Sequence, residues 1–108
     1  MGHFVLAFAF ALTATTAWAG PSLILQTDHI GCATLAPYTE LMMARNNPAE
    51  MKRLYQEFKS QTLCVDLPRG TQVTVEQVNG RFRCLKPVGW SFCGWTLVFD
   101  AQGRVVLP

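Results

Sequence analysis

The sequence predicts an α+β domain in which an N-terminal helical hairpin packs on a small β-barrel, with disulfides stapling the two parts. Three observations predict this fold. Residues from about 32 to 63 carry apolar side chains at helical spacing, and residues from about 64 to 108 alternate as short strands separated by tight turns. Four cysteines are distributed over both parts, which is typical of a small exported domain.

The first nineteen residues predict a secretory signal peptide. An apolar run from Phe4 to Leu12 is followed by Ala17-Trp18-Ala19, which fits an A-x-A cleavage site. The run is shorter than the ~20 apolar residues that a membrane-spanning helix requires. We therefore expect cleavage after residue 19, a single exported domain of residues 20–108, a periplasmic or secreted location and no stable membrane span afterwards.

The helical hairpin is predicted by two amphipathic segments. In the second segment, Asn47 can cap a helix that begins at Pro48, and Glu50 can reach back to the cap. Apolar side chains then follow at i, i+3, i+4 and i+7, namely Met51, Leu54, Tyr55 and Phe58. A shorter helix is expected from Pro37 to about Arg45, and a short turn would make the pair antiparallel.

The β part is predicted from alternation and turn residues. Val73 and Val75 alternate with polar residues, and Asn79-Gly80 predicts a type I′ turn before a return strand over residues 81–85. Residues 90–99 and 104–107 predict further short strands. The apolar patch at residues 23–25 is compatible with either a strand or an extended arm.

Two segments of this part resemble the bacterial SH3-like domains. The segment LPRGTQVTV at residues 67–75 is similar to their opening strand, and CGWTL at residues 93–97 is similar to a Gly-Trp step near their end. Thr96 departs from the pattern, because the family usually has an apolar residue there. The resemblance covers residues 64–107 and implies a five-stranded barrel that commonly binds peptides or cell-wall glycan.

The four cysteines allow three disulfide connectivities. We expect Cys32 to pair with Cys64, because these two residues flank the helical hairpin, and Cys84 to pair with Cys93 across the bend at residues 87–89. A zinc site using His29 and Cys32 is the alternative, but no C-x-x-C partner accompanies it. The expected protein therefore holds no metal and no cofactor.

Nothing in the sequence predicts catalysis or nucleic-acid binding. After cleavage His29 is the one remaining histidine, and the seven carboxylates are scattered along the chain. The net charge of +2 comes without a basic run. A small hydrolase is therefore the least favoured interpretation, and we predict a protein that is not an enzyme.

Binding is the favoured interpretation. Alternation in the strand after Asn79-Gly80 predicts that Arg81 and Arg83 share one face, with Lys86 and Trp90 close by. Such a cluster can grip an acidic peptide or cell-wall glycan through stacking and charge-assisted hydrogen bonds. The alternatives are that both arginines are merely solvated and Trp90 is core, or that the protein is an accessory or inhibitor of an envelope partner protein.

Overall fold

The structure is a computed structural model that describes residues 20–108. The predicted signal peptide, residues 1–19, lies outside the described residues. The helices are α1 (Leu35–Met43) and α2 (Pro48–Ser60). The strands are β1 (Ser22–Ile24), β2 (His29–Cys32), β3 (Cys64–Leu67), β4 (Gln72–Asn79), β5 (Phe82–Pro87), β6 (Gly94–Thr96), β7 (Val98–Phe99) and β8 (Val105–Val106).

The predicted architecture, a helical hairpin on a small SH3-like barrel, is wrong. The described residues form two helices, a six-stranded antiparallel sheet in the order β1-β4-β5-β6-β2-β3, and a two-stranded sheet of β7 and β8. The physical reason lies in the strands that precede the helices. β1 pairs with β4, and β2 pairs with both β6 and β3, so strands that precede the helices and strands that follow them build one sheet.

The six-stranded sheet has a separate apolar cluster on each face. On one face, α1 and α2 cover a cluster built from Cys32, Tyr38, Leu41, Phe58 and Cys64. On the other face, a second cluster contains Leu25, Leu67, Val73, Val75, Leu85 and Val98, with Val106 of β8 packed against it. Residues near both edges of the sheet meet in this second cluster, so the sheet curls around it.

Local sequence determines how α2 begins. The Asn47 side chain accepts a hydrogen bond from the Glu50 backbone N–H at 3.2 Å, and Pro48 occupies the first turn. The predicted helix start is therefore confirmed. The apolar stripe of α2 faces the sheet at Phe58, which is buried, while Met51 and Tyr55 stay half-exposed at the edge of the stripe.

The turn between β4 and β5 is placed one residue later than predicted. Asn79 pairs with Phe82, so the two loop residues are Gly80 and Arg81. Gly80 has φ +60°, whereas Arg81 does not have a positive φ, as in a type II′ turn rather than a type I′ turn. Arg81 therefore lies at the hairpin tip instead of starting the return strand.

Both predicted disulfides are confirmed. Cys32 and Cys64 are direct partners in the β2–β3 ladder, with Cα atoms 4.0 Å apart, so neighbouring strands bring them together. Cys84 of β5 is bonded to Cys93, with Cα atoms 5.3 Å apart. Trp95 pairs with Cys84 on one side and Cys32 on the other, so the two disulfides flank the same residue of β6.

Strands β2 and β6 approach each other through two glycines. A Cβ atom added to Gly94 would lie 2.9 Å from the Cα of Gly31, and one added to Gly31 would lie 2.7 Å from Cδ1 of Leu67. A side chain at Gly94 meets backbone, which cannot rotate away. The pairing of β2 with β6 therefore requires glycine at this position.

We expect Gly94→Ala to lower the free energy of unfolding by about 1–3 kcal/mol, because the methyl group overpacks a closed contact. Urea melts of the oxidised protein measure this effect. The control is Ser91→Ala at an exposed position three residues earlier, which should change the free energy of unfolding by less than about 0.5 kcal/mol. Equal stability of both variants and the wild type would show that β2 and β6 do not approach this closely.

Candidate functional site

The four residues predicted to bind a ligand do not form one cluster. Arg81 is exposed at the β4–β5 tip, while Lys86 and Trp90 lie at the far end of β5. The six residues of β5 span roughly 20 Å at the usual rise of a strand. A single small ligand therefore does not contact all of them at once.

Arg83 is buried, which corrects its predicted place on an exposed face. Arg83 is only 7% exposed. Its guanidinium donates hydrogen bonds to three backbone carbonyls, those of Pro108 at 2.8 Å, Gly80 at 2.9 Å and Phe82 at 3.0 Å. Alternation does place Arg83 on the face opposite Phe82. That face, however, is also covered, so the side chain satisfies backbone carbonyls instead of meeting solvent.

Arg81 instead lines a depression between the β4–β5 tip and the end of α1. We call it depression A, and its volume is about 300 Å³. Its lining residues are Met42, Arg45, Arg81, Leu97, Phe99 and Val105. The four apolar side chains are all half-buried, so they form a floor that a ligand can reach.

A second depression lies on the other side of Arg45, at the start of α2. We call it depression B, and its volume is about 350 Å³. Its lining residues are Ile30, Arg45, Pro48, Met51, Lys52 and Tyr55. Met51 and Tyr55 reach it because they lie at the edge of the α2 stripe. Depressions A and B share Arg45, and together we call them the basic groove.

Arg45 is held at the boundary between the two depressions. One terminal nitrogen, Nη1, donates to the Met42 carbonyl at 2.9 Å, near the last turn of α1. Arginine carries five donors in a fixed fork, so the donors not used in this bond stay available. The guanidinium can therefore bind a carboxylate between two apolar surfaces while it keeps its bond to Met42.

The basic groove carries positive charge without acidic partners. Among residues 20–108, the ion pairs join Arg53 to Glu50 and Glu57, Lys59 to Asp66, and Arg104 to Asp100. None of them involves the three cations of the groove, which are Arg45, Lys52 and Arg81. An anion entering the groove therefore displaces no internal partner.

One acidic group beside depression B, Asp66, is already engaged. Tyr55 donates its hydroxyl to the Asp66 carboxylate, and Lys59 donates to the other oxygen at 3.0 Å. These hydrogen bonds, first from Tyr55 and then from Lys59, hold the pKa of Asp66 below its usual value. Burial, followed by the hydrogen bond to Asp66, raises the pKa of Tyr55. Asp66 thus stays ionised and compensated at neutral pH.

The far end of β5 carries a different surface, an aromatic loop of residues 88–92 held by the Cys84–Cys93 disulfide. Val88 is 70% exposed and Phe92 is 55% exposed. Trp90 is half-buried against the apolar cluster that contains Leu85, and its ring lies 5.1 Å from that of Phe92. Trp90 therefore has a packing role, and Phe92 is the more accessible aromatic residue.

His29 joins the two sheets through its ring. Nδ1 lies 2.8 Å from the Thr27 carbonyl, and Nε2 accepts the Phe99 backbone N–H at 3.0 Å, so the ring is neutral with its proton on Nδ1. Burial lowers the pKa of His29, which is only 6% exposed. This histidine fixes Phe99, a residue of the floor of depression A, and its nitrogens are not free for catalysis.

The described residues contain no cluster of three or more His, Cys, Asp or Glu side chains suited to a metal ion. The alternative zinc pair fails directly, because Cys32 is oxidised and both nitrogens of His29 are hydrogen-bonded. Within residues 20–108 no helix is long and apolar enough to cross a membrane. The two disulfides are typical of an oxidising, extracellular-type environment.

Sequence analysis missed most of the basic groove. The sequence patterns predict the end of a helix at about Arg45 and strands that contain Leu97, Phe99 and Val105. Each interpretation describes the local structure, but no local signal shows that these residues meet.

No protein-family model, no curated protein and no solved structure matches this chain. The resemblance of residues 64–107 to bacterial SH3-like domains therefore stays a prediction. The function has to be argued from the groove itself.

We expect the protein to lose stability as the pH falls from 7 to 5. The folded state depresses the pKa of His29 below the unfolded value near 6.5, so acidification favours the unfolded chain, which binds the proton more readily. The lowered pKa values of Asp66 and Asp100 matter only below about pH 4.5. Urea melts at several pH values measure the trend.

The matched control is His29→Gln, whose amide oxygen can accept the Phe99 N–H without titrating. Its free energy of unfolding should change less between pH 7 and pH 5 than that of the wild type. Identical pH profiles would contradict the buried neutral state of His29.

Proposed function

We propose that this chain is an exported, non-catalytic binding module whose basic groove holds an acidic peptide segment of an envelope partner. The mature chain would be residues 20–108, acting in the periplasm or outside the cell. Two disulfides and the signal-peptide pattern of residues 1–19 support export. This function also accommodates an accessory or inhibitory role, in which the partner supplies the bound segment.

One observation carries the proposal: three cations without acidic partners surround an accessible apolar floor. Arg45, Lys52 and Arg81 supply the charge, and half-buried apolar side chains supply the floor. Cations at the rim select acidic ligands and accelerate their association, while apolar contacts with the floor supply affinity. A peptide offers both acidic and apolar groups along one chain.

The polar side chains around the groove favour binding over catalysis. Tyr55 and Asp66 satisfy each other, and both nitrogens of His29 are occupied by backbone groups. A nucleophile with an adjacent base, as acyl transfer requires, is not formed by the residues that line the two depressions. The guanidinium groups of Arg45 and Arg81 remain as recognition elements.

A second candidate function is binding of cell-wall glycan at the aromatic loop. The observation that favours it is the pair Trp90 and Phe92, with Phe92 more than half exposed on a disulfide-closed loop. Aromatic faces of this kind stack on sugar rings, and Lys86 at the end of β5 can meet the carboxylates of a cell wall. The two candidates use opposite ends of β5, so variants separate them.

We expect the mature protein to select peptides rich in Asp, Glu and large apolar residues from a library of displayed random dodecapeptides. The double variant Arg45→Gln/Arg81→Gln should bind the selected peptides with an affinity lower by roughly tenfold or more, because it lacks the charge-assisted hydrogen bonds of the two arginines. Fluorescence polarisation of the synthesised peptides measures this loss. Raising the ionic strength should weaken binding in the same direction.

The matched control is Arg69→Gln, which removes an exposed arginine from the β3–β4 turn outside the groove. It should bind the selected peptides like the wild type. Equal binding by Arg45→Gln/Arg81→Gln would exclude the groove. The glycan candidate would be favoured instead if the library yields no peptide and the protein binds purified cell-wall sacculi in a way that Phe92→Ser abolishes.

A further inference from the structure

Arg45 divides the basic groove into two depressions, and this division indicates the order of acidic and apolar groups along a ligand. Depressions A and B, of about 300 and 350 Å³, lie on either side of Arg45, which lines both of them. Each depression is too small for a folded element and large enough for one or two side chains. A single continuous apolar ligand would have to cross over the charged guanidinium.

The two floors differ in origin but share their chemistry. Leu97, Phe99 and Val105 provide the floor of A from strands and their connections. Ile30, Met51 and Tyr55 provide the floor of B from β2 and α2. Each floor can bury an apolar side chain of a ligand, and methionine adapts to side chains of different shapes.

The three cations occupy different parts of the groove. Arg81 lines only depression A, Lys52 lines only depression B, and Arg45 stands between the two. The Arg45 guanidinium donates to the Met42 backbone carbonyl. A carboxylate at the centre therefore meets a guanidinium that a backbone hydrogen bond positions, whereas carboxylates at the two ends meet the exposed cations of Arg81 and Lys52.

We infer that the ligand is a peptide with a central acidic residue flanked on both sides by a large apolar residue. The carboxylate would bind Arg45, and the two apolar side chains would enter depressions A and B. Further acidic residues outside the anchors would face Arg81 and Lys52. This inference rests on the proposed function, because it names the ligand class of the same groove.

The test uses three labelled peptides, each with a central glutamate and one leucine on either side of it. The leucines lie two residues from the glutamate in the first peptide, three in the second and four in the third. All other positions are serine. Each peptide has a counterpart in which glutamine replaces the central glutamate. The best of the three should bind the wild-type protein about tenfold more tightly than its glutamine counterpart. Replacing either leucine by serine should weaken binding further.

A cycle between protein and peptide identifies the partner of the carboxylate. In Arg45→Gln, the ratio of glutamate to glutamine affinities should fall to about one. Arg81→Gln should keep the ratio, because these peptides carry no acidic residue outside the leucine anchors for Arg81 to contact, and Arg69→Gln should change neither affinity. Thermal melts of all three variants confirm that the fold is intact.

The possible failures are distinct. If Arg45→Gln and Arg81→Gln weaken library-selected peptides but the central glutamate makes no difference in any spacing, the inferred order is wrong and the proposed function stands. If neither variant changes any peptide affinity, the groove is not the site and both statements fail. A ratio that persists in Arg45→Gln would assign the carboxylate to another residue and overturn the inference.

Discussion

The close approach of Gly31 and Gly94 is the contact on which the rest of the structure depends. In the six-stranded sheet, the β2–β6 pairing is the link between β1-β4-β5-β6 and β2-β3. Added Cβ atoms would meet backbone at 2.9 to 3.2 Å there, so the link forms only without side chains. Because β2 pairs with β6, Cys32 lies beside Trp95, and the helices that follow β2 lie over strands from both of these groups.

The basic groove follows from this arrangement. Covering one face of a curled sheet with two short helices leaves the connections between elements at the rim of the helical layer. There the turn between α1 and α2, the β4–β5 tip and residues 97–105 come together. Their apolar side chains are only half-buried, and Arg45 separates them into two depressions. The proposed binding role therefore uses a surface that the sheet pairing creates.

Sequence reasoning succeeded where the determining interactions are local. The Asn47 cap, the start of α2 at Pro48 and the Cys84–Cys93 bond each depend on residues close together in the chain. The Cys32–Cys64 bond was predicted correctly but for another reason, since strand pairing brings these residues together. The strand β2 escaped prediction, and β1 was left open between a strand and an extended arm, because the partners of both strands lie 32 to 63 residues away and short strands carry little periodicity of their own.

The site shows the same limit. Alternation placed Arg83 correctly relative to Phe82, yet it gave no information on what covers each face, and Arg83 is buried.

A titration of ¹⁵N-labelled residues 20–108 with a library-selected acidic peptide, followed by amide NMR shifts, tests the central claim most directly. The account predicts the largest shifts in residues lining depressions A and B, with Arg45 between them. Shifts confined to the aromatic loop at residues 88–92 would contradict it.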